Sequence, residues 1–497
     1  MIRVRKKNEA HIVLESDDSG ILRELSEYFT FYVEGYKFMP AYRNKMWDGK
    51  VRLFDMRSQQ LPFGLLGQVA EFAKSRNYEL IVDTDIKPTL SATDEELDKF
   101  IQDLPLCSGG NVIQARDYQI DAFKKATKSQ RAILLSPTGS GKSLIIYMLS
   151  RYFLSKDMDR KVLIVVPTTS LVEQMTKDFN DYSTNDPEFD TEEDVHKIYS
   201  GKEKFDINAS VVITTWQSAI KLPLDWFISY GMIVGDEAHT FKAKSLTTIM
   251  NRLNKAYFRI GTTGTLDGGQ VNELVLEGSF GPTYKVTSTK ELIDSETLAD
   301  LTIESLVLNY SDEVKKLMAK AKYQDEINFI VSNESRNKFI TNLTLDQSGN
   351  TLVLYNLVNK HGKVLYKMIK DRAKDRSVFF VSGEVNAEER ERIRELTEKE
   401  TGAIIVASVG TFSTGINVKN LHNIIFAAPT KSQIRVLQSI GRGLRKSDSG
   451  QGTVVYDLAD NLCWKKHKNY THSHAINRIK IYAKEGFNYN IHEVPMK

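Results

Sequence analysis

Short apolar runs rich in β-branched residues alternate with helical stretches from about residue 111 to 285, and the same alternation begins again near Asn350. The first series holds Ala132–Leu135, Val162–Val166, Val211–Thr214, Met232–Val234 and Phe258–Ile260. The second holds Thr351–Tyr355, Ser377–Val381, Ala403–Ala407, Asn423–Ala427 and Gly452–Tyr456. Strands of this kind, spaced by stretches long enough for a helix, belong in parallel sheets covered on both faces. The expected fold class is therefore α/β, with two parallel-sheet domains in tandem preceded by a small α+β N-terminal domain.

The turn after the first of these strands narrows the chemistry. Ala132-Ile133-Leu134-Leu135 runs directly into Ser136-Pro137-Thr138-Gly139-Ser140-Gly141-Lys142-Ser143, with Ser136 where a first glycine is usual. A buried strand feeding a glycine-rich turn that opens a helix aims backbone N–H groups and the positive end of the helix dipole at a polyphosphate. Lys142 is then placed for the β and γ phosphates of a nucleoside triphosphate, and Ser143 for a Mg²⁺ ion. About a hundred residues on, the strand Met232–Val234 leads through Gly235 into Asp236-Glu237-Ala238-His239. This suits Asp236 to hold the metal shell and Glu237 to polarise the attacking water. Only the first α/β series carries a phosphate loop, so a nucleotide sandwiched between two such domains, the geometry of a motor, is expected.

Composition frames the rest. A chain of 497 residues has room for about three or four domains with cores of their own. No apolar run approaches the roughly twenty residues of a spanning helix. Met1-Ile2-Arg3-Val4-Arg5-Lys6-Lys7 is followed by charge and not by a signal-peptide core. Cys107 and Cys463 lie far apart, which fits buried thiols in a reducing cytoplasm. The net charge of +3 decides nothing, since a nucleic-acid binder can gather its cations on one face.

The ordered motifs resemble those of the superfamily 2 helicases and translocases, whose two RecA-like domains close on ATP while gripping a nucleic-acid strand. Arg116-Asp117-Tyr118-Gln119 resembles the adenine-reading Q motif, which implies Arg116 and Gln119 at the nucleotide. Val166-Pro167-Thr168-Thr169-Ser170-Leu171 resembles motif Ia, and Thr214-Thr215-Trp216-Gln217-Ser218 a later strand-contacting motif, implying nucleic-acid contacts at Thr168, Thr169, Thr215 and Trp216. Gly261-Thr262-Thr263-Gly264-Thr265 is similar to motif III, so that Thr263 and Thr265, with His239 of the DEAH box, would couple hydrolysis to strand contact. In the second series the run from Val406 to Asn417 looks like motif V, implying a strand contact at Thr411 and a nucleotide contact at Gly415. Gln438-Ser439-Ile440-Gly441-Arg442-Gly443-Leu444-Arg445 matches motif VI, with Gln438, Arg442 and Arg445 expected at the γ phosphoryl group and Arg445 as first choice for the arginine finger.

The resemblance narrows to the DNA-directed branch, near the XPB, RecG and restriction-translocase members, and over the full length to the recombination helicases of T-even phages. It implies an ATP- and Mg²⁺-dependent enzyme that unwinds and migrates branched DNA: forks, Holliday junctions and R-loops. RNA would enter in RNA–DNA hybrids, and recombination or single-strand-binding proteins as partners. No obligate oligomer is suggested. An RNA helicase shares every motor motif, and a DNA-stimulated ATPase that translocates without strand separation is the other open alternative.

The expected organisation is an N-terminal nucleic-acid-binding domain over 1–85, a linker over 86–110, a first RecA-like domain over 111–290, a connecting helical segment over 291–345 and a second RecA-like domain over 346–497. Within the first of these, Lys37, Arg43, Lys45, Lys50, Arg52 and Arg57 interleave with Tyr36, Phe38, Tyr42 and Trp47. The cations are expected to meet phosphates. The aromatics, Phe54 included, are open to two readings, stacking surfaces for unpaired bases or plain core. Thr93-Asp94-Glu95-Glu96 marks a helix start with a capping box, and Ser108-Gly109-Gly110-Asn111 a hinge. The acidic stretch Asp181 to Asp194 is expected as a solvated loop, and the basic stretch from Trp464 to Lys480 as a helix against duplex DNA.

Overall fold

The computed structural model describes residues 1–199, 205, 208–241, 243–266, 269–415, 418, 420–429, 440, 441, 444 and 452–496. The chain divides into two compact units, Met1–Ser136 with Gly141–Val286, and Thr287–Lys497 with Pro137–Ser140. Among the described residues no helix is long and apolar enough to cross a membrane.

The first unit is built on a seven-stranded parallel sheet. Its order is Val195–Ile198, Val211–Thr215, Lys161–Val166, Tyr230–Gly235, Phe258–Thr263, Arg131–Leu135 and Thr283–Lys285. Alternate residues of each strand feed two cores, as a sheet buried on both faces requires. Ala132, Leu134, Val162 and Ile164 pack under the helices Asp117–Ser129, Lys142–Lys156 and Thr169–Tyr182. Ile133, Leu163, Val165 and Ile233 pack under Ala243–Arg252 and Gln270–Phe280. Gly235 is dictated by this second core, because a Cβ there would lie 2.6 Å from the ring of Phe280.

The N-terminal domain has a four-stranded sheet in the order Gln60–Pro62, His11–Glu15, Ile2–Lys6, Leu80–Val82, with helices Ser19–Tyr28 and Leu66–Ser75. It is docked on the α/β domain. Leu274 of the latter joins the core of Ile2, Val4, Leu14, Leu25 and Phe72. Gly64 lies so close that a Cβ would fall 1.9 Å from the Glu277 carbonyl oxygen. Arg131 donates to the Glu9 carboxylate at 2.6 Å and covers the Phe63 ring at 4.0 Å.

The stretch 86–110, expected as a tether, is largely structural. The helix Asp94–Asp103 starts at Thr93 with its capping box, and Leu97, Leu104 and Leu106 are buried in the first core. Its apolar face is the reason: a helix with such a face is more stable packed than solvated. The expected hinge is a tight hairpin turn between Cys107–Ser108 and Asn111–Val112, with Gly109 and Gly110 at φ of 58° and 79°. Asp181 holds it, accepting from the Ser108 hydroxyl and the Gly109 N–H, each at 2.8 Å. The acidic stretch 181–194 also departs from a solvated loop. Asp186 is buried against Arg151 and Tyr147, and Phe189 is buried beside it.

The second unit carries another seven-stranded parallel sheet: Val378–Val381, Ile404–Ser408, Thr351–Tyr355, Asn423–Phe426, Thr453–Asn461, Leu301–Asn309 and Asn488–Pro495. One strand overturns an expectation. Leu301–Asn309, inside the stretch read as a connecting helical segment, pairs along its whole length with Thr453–Asn461 because its alternate apolar residues, Leu301 and Ile303, face inward. Asn488–Pro495 forms the exposed edge. The preceding helix, Tyr470–Glu485, is held by a buried polar network and not merely laid on the surface. Glu326 accepts from the Tyr470 and Thr471 N–H groups at its start, and fully buried Arg478 pairs with Asp457 at 2.7 Å. Arg478 is therefore withdrawn from any DNA-facing role, whereas Lys480 is exposed. A second buried pair, Arg336 with Asp460 at 2.7 Å, anchors the helix Glu334–Asp346.

Near Arg336, a single π turn, Val358–Gly362, carries His361 fully buried, with neither ring nitrogen hydrogen bonded. Burial first, then the Arg336 charge, pushes its pKa down to about 3. The unfolded chain therefore takes up the proton first, near its ordinary value. Stability held above roughly pH 6.5 drains as pH falls towards the folded-state value. Between pH 7.5 and pH 5 the native chain should lose about 2 kcal/mol more than His361→Leu, from about 1.36 kcal/mol per unit over about 1.5 units. Urea midpoints of the full chain at both pH values measure this, and equal losses would contradict it.

Candidate active site

The glycine-rich turn, the acidic pair and the threonine motif lie at one edge of the first parallel sheet, the carboxyl ends of its strands, where open parallel sheets bind ligands. Ser136 leaves the strand Arg131–Leu135 and donates its N–H to the Thr263 carbonyl at 2.8 Å. Asp236 leaves the Tyr230–Gly235 strand, on the far side of Phe258–Thr263, and donates its N–H to the Val165 carbonyl at 2.9 Å. Parallel pairing thus aligns the phosphate loop, the acidic pair and the threonine motif in one row.

Gly139 and Gly141 take φ of 86° and 79°, the left-handed region that suits a loop bending around an anion. Ser140 is buried, its hydroxyl donating to the Pro137 carbonyl at 2.7 Å, while Thr138 is half-buried. Lys142 opens the 15-residue helix that follows. Its Nζ lies 3.1 Å from Glu237 Oε1 and 3.3 Å from the Ser136 carbonyl. The ammonium group is thus already at the mouth of the loop. Asp236 is buried and accepts from the Thr262 hydroxyl at 2.6 Å. Burial, followed by the neighbouring Glu237 carboxylate, pushes its pKa up to about 6, against the pull of Lys142. Such a carboxylate gains from a cation brought beside it. Glu237 itself takes the left-handed conformation, φ 48°, rare for a non-glycine residue.

His239 Nδ1 lies 2.5 Å from Thr263 Oγ1, whose hydroxyl donates to the Thr265 carbonyl at 2.7 Å. The three coupling residues are therefore in contact. Gln119 is buried and accepts from the Arg116 N–H at 2.9 Å, and its amide presses on the phosphate loop: a Cβ on Gly141 would stand 2.3 Å from Nε2. Arg116 is exposed, with its guanidinium donating to the Tyr118 hydroxyl at 3.3 Å.

The two strand-contacting motifs are neighbours as well. Val166 pairs with Thr215, and Gln217 donates across to the Pro167 carbonyl at 3.3 Å. Thr168 and Thr215 are occupied as helix caps, for Leu171 and Ser218, which leaves exposed Thr169 and half-buried Trp216 on the surface. In the second unit Thr411 is buried, its hydroxyl accepting from Ser408 at 2.7 Å. Gly415 ends the helix Val409–Gly415. Gln438, Arg442 and Arg445 lie outside the described residues.

Three family models match this chain: the N-terminal domain of DNA helicase UvsW over residues 1–83, the res subunit of type III restriction enzymes over 112–268, and the helicase conserved C-terminal domain over 335–447. The ATP-dependent DNA helicase UvsW of Enterobacteria phage T4 is 37% identical over 504 residues, 98% of both chains. The chain belongs to the UvsW family of helicases. The crystal structure of T4 UvsW superposes with a TM-score of 0.54 at 36% identity, covering 99% of each chain. The DNA 3'-5' translocase XPB2 of Sulfurisphaera tokodaii is a more distant relative, 23% identical over 406 residues, 72% of this chain and 87% of that one.

In this UvsW-family chain the N-terminal cations sit around a small two-stranded sheet, Thr30–Tyr32 with Lys50–Arg52. Lys50 lies over the Tyr32 ring at 4.9 Å and Arg52 pairs with Asp48. Lys37, Arg43 and Lys45 are exposed, the last two lining a shallow cleft with Tyr42, Met46 and Trp47. The aromatics divide between the two readings. Phe54 is core, at 2% exposure, whereas Phe38 is 84% exposed. Tyr36 stacks on Tyr32 at 4.7 Å and meets Tyr42 edge-on at 4.8 Å, and the Trp47 indole N–H donates to the Lys50 carbonyl.

Sequence reasoning missed Thr262, which orients Asp236, although it stands inside the Gly261–Thr265 motif. It also missed Tyr182, whose hydroxyl lies 2.9 Å from that of Ser143, and which carries no local signal of its own. The donor set of Asp236 carboxylate and Ser143 hydroxyl is all oxygen, as a hard cation such as Mg²⁺ requires, and so fits that ion.

Proposed function

We propose that this chain turns ATP hydrolysis into movement along, and separation of, branched DNA such as forks, Holliday junctions and R-loops. Family membership already makes it a helicase. The observation that supports the nucleotide reading is the 3.1 Å contact between Lys142 of the glycine-rich turn and Glu237 of the acidic pair, an ammonium and a carboxylate side by side at the strand ends. In this reading the loop N–H groups and Lys142 bind the ATP phosphates, Gln119 backs the loop, and Glu237 accepts a hydrogen bond from the attacking water. Asp236 and Ser143 would hold Mg²⁺, which when bound spreads and neutralises the charge on the β and γ phosphates. His239, Thr263 and Thr265 link that site to the row of loops at Thr169 and Trp216, proposed to hold one DNA strand. Residues 1–85 are proposed to bind the duplex arms through Lys37, Arg43 and Lys45, with Lys50 and Arg52 behind them.

Steady-state ATPase rates with single-stranded DNA, duplex, fork, Holliday junction, R-loop and single-stranded RNA test the substrate. Greatest stimulation by branched DNA supports the reading, and greatest stimulation by plain RNA overturns it. For the N-terminal surface, the combined change Lys37→Ala, Arg43→Ala, Lys45→Ala should weaken fork binding and reduce the slope of log affinity against log salt by about 0.9 for each phosphate that is no longer neutralised. A slope equal to that of the native chain would remove these residues from the interface.

A further inference from the structure

Ser143 follows the phosphate-loop lysine, and its hydroxyl meets that of Tyr182 at 2.9 Å. Tyr182 is the last residue of the helix Thr169–Tyr182, 39 residues away in the chain. A serine hydroxyl has one proton and two oxygen lone pairs. If a lone pair is to face a cation, the proton must point to an acceptor elsewhere. From these contacts we infer that Tyr182 is a positioning residue: its hydroxyl oxygen accepts a hydrogen bond from the Ser143 hydroxyl and so turns the serine lone pairs towards the divalent cation that accompanies ATP. This rests on the proposed reading of Lys142 and Ser143 as the ATP and metal site.

The surroundings of Tyr182 suit a fixed acceptor. Its ring packs on Tyr147, 5.7 Å between centroids, and Tyr147 is fully buried with its own hydroxyl donating to Asp186 at 3.1 Å. Arg151 donates to the same Asp186 carboxylate at 2.8 Å. One residue before Tyr182, Asp181 binds the Ser108–Gly109 turn through two hydrogen bonds. The helix end is therefore held from both sides. Phe189, packed edge-on against Tyr147 at 5.9 Å, closes the base of this cluster. The buried part of the acidic stretch 181–194 thereby acquires a purpose, which is to fix the tyrosine that fixes the serine.

The test is nucleotide binding, not turnover. A fluorescent, non-hydrolysable ATP analogue is bound to the full chain while Mg²⁺ is titrated, in the native protein, Tyr182→Phe, Ser143→Ala and the double variant. Tyr182→Phe should raise the half-saturating Mg²⁺ about three- to tenfold, the reach of one neutral hydrogen bond. Its affinity for the analogue in EDTA should equal that of the native chain. The double variant should need no more Mg²⁺ than Ser143→Ala alone, because both act through one hydroxyl. A native Mg²⁺ midpoint in Tyr182→Phe beside a raised one in Ser143→Ala overturns the role of Tyr182 alone. So does an additive double variant, or an affinity reduced equally in EDTA, which is the mark of a merely distorted pocket. An unshifted midpoint in Ser143→Ala overturns the reading of the site itself.

Discussion

Lys142→Ala is expected to lower ATP turnover on the order of 10²–10³-fold, the cost of removing one aimed charge from a transition state, and to abolish unwinding while leaving fork binding largely intact. The ammonium group stands 3.1 Å from Glu237 and 3.3 Å from the Ser136 carbonyl, at the mouth of a loop with two left-handed glycines. It is a point charge with three donors, and alanine replaces none of them. The proposed DNA contacts lie at other strand ends, around Thr169 and Trp216, and on the N-terminal surface. ATPase rate and fork anisotropy, measured at one salt concentration, separate the two properties. Equal loss of both would contradict the division of labour. The ion pair is about one-sixth exposed, so its loss should move the melting temperature by only a few degrees.

Much of this site is legible in the chain because its signals are local. A strand, a glycine turn and a helix start fall within twelve residues, from Ala132 to Ser143, and the Asp236–His239 box ends a run as apolar as the strand it forms. The helix start at Thr93 is readable for the same reason, since a capping box spans four residues. What escapes is set by partners the chain brings from afar. Leu301–Asn309 contains Glu304 and Ser305, which interrupt its apolar run, and its pairing partner begins at Thr453. Nothing near it announces a strand. Asp186 and Arg478 look like surface charges in any local window, yet each is buried because Arg151 and Asp457 neutralise it. A charge buried with a good partner is permitted, while one buried alone is not, and sequence spacing does not say which case holds. The N-terminal aromatics show the same limit: Phe38 and Phe54 are one residue type in one short segment, and only the packing sends the first to solvent and the second to the core.

Glu237→Gln should reduce the rate of hydrolysis about 10²–10⁴-fold, the usual contribution of a positioned acid or base, while nucleotide affinity is kept. Asp236→Asn should instead weaken Mg²⁺-dependent nucleotide binding as well as turnover. The contrast follows from where the two carboxylates stand. Asp236 is buried, bound to the Thr262 hydroxyl, and of a chemistry that suits a metal shell. Glu237 is turned out of the strand by a left-handed backbone, φ 48° and ψ 47°, whose carbonyl is held by the Thr240 N–H at 2.9 Å and hydroxyl at 2.8 Å. That conformation costs a non-glycine residue about 1–3 kcal/mol and persists only where the surroundings impose it. Glutamine inherits the same backbone and offers Lys142 an amide oxygen in place of the carboxylate, so shape and loop contact survive and the charged base does not. Single-turnover hydrolysis and equilibrium nucleotide binding, measured on the same preparations, read the chemical step and the binding step apart. A raised Michaelis constant at unchanged kcat in Glu237→Gln would make Glu237 a binding residue and leave the water without its base. A loss confined to kcat assigns the strained residue to the chemical step, and the adjoining buried one to the cation.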